Sequence, residues 1–429
     1  MNYNQTLDFL FSRLPAYHMI GKAAYKNTLE NALALDEYFG HPHLKYKTVH
    51  IAGTNGKGSV SHMIASVLQE AGYNTGLYTS PHLRDFRERI KVNGKKIPKS
   101  EVTAFVKKHR NIIESVKPSF FEMTAAMAFD YFTLEKVDVA VVETGMGGRL
   151  DSTNIISPVL SVITNIGHDH MDLLGGSLAK VAGEKAGIIK KNIPVVIGET
   201  QPELKDIFVA RAKETDSEVF FADAGFICSI SEKPDHDGKR KYRMQDLDRE
   251  KEISGIIPLG GDYQTKNLQT LFQACRSLEY TFRITGKNIV EGIRNVIVNT
   301  GLMGRWQILK RKPLVICDTA HNREGLEYVI RQIGRIDAAM VHFVIGFVSD
   351  KDLSMVLPLF PGNARYYFTK ASVQRALDEK ILQREASKYN LKGECYPSVI
   401  QAYEAAVSNA SPDDLVFVGG STFVVAEVV

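Results

Sequence analysis

Short runs of β-branched and apolar residues recur through the first two-thirds of the chain, at 48–52, 74–79, 137–142, 160–166 and 194–197. Between them the apolar positions change period. After the first run, Val60, Met63, Ile64, Val67 and Leu68 fall at i, i+3, i+4, i+7 and i+8, and Gly72 can close the helix they predict. Runs alternating with helices in this way predict βαβ units and a parallel sheet. Residues 226–256 break the rhythm: polar stretches rich in Lys, Asp and Arg, such as 232–239, separate short alternating runs, which predicts a β-hairpin excursion. Helices are predicted at 266–278 and 286–297. The charge-poor stretch 299–304, with Gly301 and Gly304, then reads as a linker. Beyond it the rhythm restarts with a strand at 314–317, a helix at 323–333, and strands at 341–347 and 415–418. The prediction is an α/β protein with a large parallel-sheet domain over 1–298, a linker at 299–304 and a smaller Rossmann-like α/β domain over 305–429.

Length agrees with that division, because 429 residues exceed one ordinary core. Lys and Arg total 53 against 49 Asp and Glu, a net charge of +4 with both signs mixed along the chain. This balance argues against a nucleic-acid binder. The basic clusters at 107–110 and 239–241 have no interleaved stacking aromatics and read as solvated faces. Cys228, Cys275, Cys317 and Cys395 lie far apart with no C-x-x-C pair, as expected of reduced thiols. Residues 1–20 lack a basic segment followed by a long apolar core, and no stretch approaches the length of a membrane span. The expectation is a cytoplasmic protein.

The chemistry concentrates where predicted strands end. Gly53-Thr54-Asn55-Gly56-Lys57-Gly58-Ser59 follows the first run and opens its helix, so backbone N–H groups, the helix N-terminus and Lys57 can converge on phosphate oxygens. Its spacing departs from G-x-x-x-x-G-K-[ST]: two residues separate Gly53 from Gly56, and Gly58 intervenes between Lys57 and Ser59. Ser80 follows the second run, Glu143 ends the third, and Gly167-His168-Asp169-His170 ends the fourth. In a parallel sheet all could face one crevice. A carboxylate opposite a phosphate loop suits Mg²⁺, although Glu143 alone could equally be a cap or ion-pair partner. His168 and His170 make at most half a zinc site; one joining a magnesium site needs fewer unseen ligands. Lys185 sits in a small, apolar helix and, taken alone, reads as a surface lysine. Asp318 and His321 again end a strand and open a helix, where capping explains them as well as function does.

Taken in order, these segments resemble one family. They are 53–59, Thr79-Ser80-Pro81-His82-Leu83, Phe86-Arg87-Glu88-Arg89-Ile90, Glu143 through Asp151, 167–170, Gly183 through Ile189, Gly261 through Asn267, Gly304-Arg305-Trp306, Asp318 through Asn322 and Gly419-Gly420-Ser421. The family is the bacterial folylpolyglutamate synthase/dihydrofolate synthase group, within the Mur-ligase-like ATP-dependent amide ligases, and the loop's unusual spacing is that family's own. The resemblance implies that the large domain is a P-loop-containing ATPase domain. It implies that Asn55, Gly56, Lys57, Gly58 and Ser59 hold the ATP phosphates, with further ATP contacts from Asn267, Arg305 and Asp318 and His321 close to the transferred phosphoryl group. It implies that Ser80, Glu143 and His170 ligate Mg²⁺, and that a carbamylated Lys185 helps hold a second Mg²⁺. Phe120, Phe121 and Glu122, with Leu150, Asp151 and Ser152, resemble the pterin-binding segments.

The implied reaction activates a carboxylate as an acyl phosphate at the expense of ATP, after which the amine of L-glutamate displaces phosphate. The implied partners are small molecules only: ATP, L-glutamate and dihydropteroate or a reduced folate, handled by a monomer. Because the implied ATP contacts fall in both halves of the chain, domain closure over ATP is expected. A ligase adding amino acids to a UDP-sugar peptide is a weaker alternative, since Gly58 is extra and only some fifty residues precede the loop. A P-loop switch NTPase would want an N-K-x-D motif, which Ser349-Asp350-Lys351-Asp352 and Thr369-Lys370-Ala371-Ser372 imitate only in part.

Overall fold

The computed structural model describes residues 1–15 and 28–429, so the last part of the 1–20 reading lies outside the described residues. The chain divides into two compact units. The first comprises 1–233, 240–258 and 264–302; the second comprises 234–239, 259–263 and 303–429.

The first unit is built on an eight-stranded sheet. Its strands are β1 (Lys47–Ala52), β2 (Thr75–Tyr78), β3 (Ile90–Val92), β4 (Lys95–Lys96), β5 (Val139–Glu143), β6 (Leu160–Ile163), β7 (Val195–Ile197) and β8 (Val219–Phe221), in the order β4-β3-β2-β5-β1-β6-β7-β8. From β2 to β8 the pairings are parallel; β3 and β4 add an antiparallel edge. β1 lies between β5 and β6 with Val49, His50, Ile51 and Ala52 completely buried. Burial on both faces is why these strands read as continuous apolar runs rather than alternating ones. The helix Lys57–Glu70 follows β1 and is buried over Ser59–Leu68. It packs against the helices Gly286–Arg294 and Gln264–Leu278, so all of its faces except the ends meet protein. At one crossing Gly292 lies so close that a Cβ there would stand 2.6 Å from the Val67 Cα.

The excursion at 226–256 is a sheet of three strands rather than a single hairpin: β9 (Phe226–Ile230), β10 (Arg240–Asp246) and β11 (Lys251–Ile257), antiparallel in the order β11-β10-β9. β10 alternates buried and exposed positions throughout. Residues Val296–Thr300 form a helix that closes on Gly301 at φ +64, and the division between units falls between Leu302 and Met303.

The second unit carries β12 (Gln307–Arg311), β13 (Leu314–Cys317), β14 (Val341–Ile345), β15 (Arg365–Thr369), β16 (Gly393–Tyr396) and β17 (Leu415–Gly419), in the order β12-β13-β17-β14-β15-β16. Only β12 runs antiparallel to its neighbour. One face packs a column of aromatics: Phe343 stacks on Tyr366 at 5.4 Å, and Tyr366 on Phe368 at 5.7 Å. All four cysteines are free, with Cys275 and Cys317 buried. Among the described residues no helix is long and apolar enough to cross a membrane.

Candidate active site

The carboxyl end of β1 enters a turn that two glycines make possible. Gly53 has φ +148 and a Cβ there would run into the Thr164 side chain; Gly56, at φ +85, abuts the Asn267 side chain in the same way. Larger residues are excluded by both conformation and space. Loop and β6 are laced together: the Thr54 N–H donates to Asn165 O (2.9 Å), the Asn55 N–H to Asn165 Oδ1 (2.9 Å) and Thr164 Oγ1 to Asn55 O (2.6 Å). Gly56 caps the helix beginning at Lys57, so the first N–H groups of that helix and its positive end face the loop.

Two lysines meet at this turn. Lys57 Nζ donates to Gly53 O (2.9 Å) and Thr54 O (3.3 Å), and Lys185 Nζ donates to the same Gly53 O (2.8 Å). Lys185 comes from the helix Leu178–Ala186 and is only 4% exposed. Burial first, then the Lys57 ammonium, push its pKa down to about 7, against the pull of Asp169 and Asp151. It is therefore not the surface lysine that its local sequence suggested. Behind the loop, Ser59 is buried and accepts from Gln264 Nε2 (3.4 Å), whose Oε1 accepts from Asn267 Nδ2 (2.8 Å).

Neighbouring strand ends carry further polar side chains. Glu143, the last residue of β5, is 3% exposed and accepts from the Ser80 N–H through Oε2 (3.3 Å). Thr144 N–H donates to Ile51 O, which ties that strand end to β1 (2.9 Å). His170 adopts φ +53 ahead of the helix Met171–Leu174, with Nε2 3.7 Å from Asp169 Oδ2. Asp151 is buried and shapes the 145–153 turn: it accepts from Met146 N–H (2.9 Å), Thr153 N–H (3.0 Å) and Thr153 Oγ1 (2.5 Å). Burial raises its pKa despite those bonds. Leu150 and Ser152 are half-buried beside it. Phe120, Phe121 and Glu122 open the helix Phe120–Leu134, where Ser119 caps and Glu122 Oε2 accepts from the Ser119 N–H (2.5 Å). Phe120 stacks on Phe11 at 5.0 Å, Phe121 meets Tyr78 at 5.8 Å, and Glu122 and Ser152 line one small cleft with Ala125, Ala126 and Phe129.

In the second unit Asp318 follows β13 and is 2% exposed. Its Oδ2 accepts from Tyr263 Oη (2.6 Å) and the Trp306 N–H (2.7 Å), its Oδ1 from the Ala320 N–H (2.8 Å), while burial holds its pKa above the usual carboxylate range. Arg305 Nη1 donates to Thr319 Oγ1 and to Gly304 O. His321 Nδ1 lies 3.0 Å from Thr319 O, and Asn322 caps the helix Arg323–Ile333.

Sequence reasoning missed Thr164 and Asn165, which hold the loop, and gave no role to Tyr263 and Gln264 within the 261–267 segment. Asn165 was hidden inside a run read as strand to residue 166, whereas β6 stops at Ile163. The strand-end rule that found Ser80 and Glu143 would have found it.

A lysine-bearing, glycine-rich loop after an inner strand of a parallel α/β sheet, followed by a second α/β unit, is the arrangement of the Mur-type ATP-dependent ligases, and the family matches place the chain in that class. The Mur ligase middle domain family matches residues 51–274, and the Mur ligase glutamate ligase domain family matches residues 304–422. The dihydrofolate synthase/folylpolyglutamate synthase of Bacillus subtilis is 34% identical over 91% of this chain and 91% of its own length. The probable bifunctional folylpolyglutamate synthase/dihydropteroate synthase of Haloferax volcanii is 32% identical over 100% of this chain, which spans 50% of that longer protein. The solved structure of E. coli FolC in complex with DHPP and ADP superposes with a TM-score of 0.85 at 28% identity, covering 100% of this chain and 97% of that one. The chain belongs to the folylpolyglutamate synthase/dihydrofolate synthase family, ATP-dependent ligases of folate metabolism.

Proposed function

We propose that this enzyme joins L-glutamate to a pteroate or folate carboxylate, acting as a dihydrofolate synthase, a folylpolyglutamate synthase or both. The observation that carries the reading is the meeting of Lys57 and Lys185 on Gly53 O, with the buried Glu143 bonded to Ser80 at the end of the strand paired with β1. Asn55, Gly56, Lys57, Gly58 and Ser59 hold the ATP phosphates through backbone N–H groups and the Lys57 ammonium. The substrate carboxylate attacks the γ-phosphorus and ADP leaves. The glutamate amine then attacks the acyl carbon, loses a proton, and expels phosphate as the amide forms. Positioning and charge neutralisation supply the catalysis, with Lys57 and Arg305 on the transferred group and His321 near it. Asn267 and Asp318 complete the ATP contacts. Phe120, Phe121, Glu122, Leu150, Asp151 and Ser152 take the pterin end, and Asp151 also shapes the 145–153 turn.

The donor set at the strand ends fits Mg²⁺: a buried carboxylate from Glu143, the Ser80 hydroxyl, and His170 on an adjoining loop. Bound there, magnesium would neutralise phosphate charge. Lys185 fits carbamylation, because a buried amine with a pKa near 7 is substantially uncharged at neutral pH, the form that adds carbon dioxide. As a carbamate it would offer oxygen ligands to a second Mg²⁺. The same reading is of a cytoplasmic monomer using small-molecule substrates. Purified protein with ATP, Mg²⁺ and L-glutamate, offered dihydropteroate and tetrahydrofolate separately, should release phosphate with at least one. Release with neither overturns the reading, and release with one alone decides between the two activities.

A further inference from the structure

Asp36, His41 and His43 converge away from the phosphate loop. Asp36 lies in the last turn of the helix Glu30–Tyr38, and His43 lies in the single turn Pro42–Lys45 that leads into β1. The loop leaves the opposite, carboxyl end of that strand, six residues on. Asp36 Oδ2 stands 2.6 Å from His41 Nδ1 and 3.3 Å from His43 Nε2, and one ligand atom from each of the three residues falls within 4.8 Å of the others. A carboxylate at the C-terminal end of a helix faces the negative end of the dipole, so its burial calls for positive charge. Yet that turn holds no Lys or Arg, and among the described residues the ion-pair partners of Asp36 are the two imidazoles. Asp36 and His43 are each 7% exposed, and among the described residues Asp36 Oδ1 and His43 Nδ1 have no hydrogen-bond partner.

We propose that Asp36, His41 and His43 bind one transition-metal dication of the zinc type. Two imidazoles and a carboxylate with a position left for water are zinc chemistry, whereas Mg²⁺ and Ca²⁺ prefer sets made only of oxygen. An ion with bonds of about 2.1 Å holds tetrahedral ligands roughly 3.4 Å apart. The Asp36–His43 spacing already suits this; Asp36 and His41 must open, which the His41 side chain, 53% exposed, is free to do. Its left-handed backbone, φ +52, turns the chain back toward the helix. Lys190 is the charged group outside the cluster that opposes positive charge at His43. The ion would pin the helix Glu30–Tyr38 to the turn ahead of β1.

The test is zinc binding by equilibrium dialysis on chelator-treated full-length protein, with excess Mg²⁺ present to compete at the strand-end site. The variant is His41→Asn, chosen because Asn tolerates a left-handed backbone and lies outside the proposed catalytic machinery. The wild type should hold one more equivalent of zinc than the variant and gain a higher Tm with zinc, while the variant gains none and keeps its ligase turnover. Equal zinc in the two proteins, or none in the wild type, overturns the proposal. Should the variant fail to fold, labelling of His41 by diethyl pyrocarbonate in the wild type decides: zinc should suppress it several-fold, and undiminished labelling overturns the site.

Discussion

At the scale of single residues, the glycine-rich loop at 53–59 brings two lysines onto one acceptor. Lys57 and Lys185 both donate to Gly53 O, and the Lys57 ammonium adds to the burial that chiefly depresses the Lys185 pKa. Lys57→Ala should therefore do two things. Ligase turnover should fall by at least about a hundredfold, the scale of losing one well-placed donor to developing charge, with the far-ultraviolet circular dichroism unchanged; an active, folded variant refutes the role of Lys57. The Lys185 pKa should also rise, readable as a shift to higher pH in the ¹³C carbamate signal under labelled carbon dioxide. In the wild type the sign follows from the free amine. Below about 7 Lys185 is mostly protonated and cannot add carbon dioxide, so activity in bicarbonate-depleted buffer should drop on the acid side of that value. A profile with no such drop counts against carbamylation. Lys57 was legible in the sequence because glycine spacing and a following helix announce it. Lys185 was not, since nothing in its neighbours' identities reveals that their small size lets the helix press its lysine inward; Val181 and Ala182 are completely buried.

Among the elements, the helix Lys57–Glu70 continues directly from the loop, and Gly292 of a neighbouring helix lies close against its flank. Ser66 Oγ also donates to Gly292 O (2.7 Å), so the two helices are joined by a bond as well as by shape. Gly292→Ala places a methyl group against the Val67 backbone, which cannot rotate away. The expected cost is about 1–3 kcal/mol, the usual range for overpacking, measured as a lower urea midpoint at unchanged slope; a midpoint equal to that of the wild type would mean that the helices slide apart freely. The strands flanking this helix were readable because β1, β5 and β6 are buried on both faces. β3 and β4 were not, being three and two residues long, too short to show any period. The 226–256 segment was hard to divide for a related reason: β9 is only five residues long and β11 exposes its first two positions in a row, so the strict alternation of the seven-residue β10 stands out.

For the whole molecule, the sequence read left to right suggests one cut, whereas the second unit gathers in two earlier segments, 234–239 and 259–263. The second of these is bonded into the unit through Gly260, Asp262 and Tyr263, and Arg335 pairs with Asp262. Gln332 Nε2 donates to Gly260 O (2.8 Å), the Asp262 N–H donates to Gln332 Oε1 (2.8 Å), and Tyr263 Oη donates to Asp318 Oδ2 (2.6 Å). Such links join residues some seventy or fifty-five positions apart, a separation no local pattern encodes. If 259–263 is energetically part of this unit, removing its hydroxyl should be felt in the sheet beyond Asp318. Tyr263→Phe takes one donor from a buried carboxylate whose pKa burial already raises, leaving the Trp306 and Ala320 N–H groups to bond it. The loss should cost about 1–3 kcal/mol. It should also grow with pH, because the folded protein then binds the Asp318 proton more tightly than the unfolded chain does, and stability falls as the unfolded carboxyl ionises. Hydrogen exchange gives the local reading: amides of β13 and β17 should exchange faster in the variant while those of β1 and β5 keep their wild-type rates. Uniform acceleration through both sheets would mean that the segment does not belong to the second unit alone.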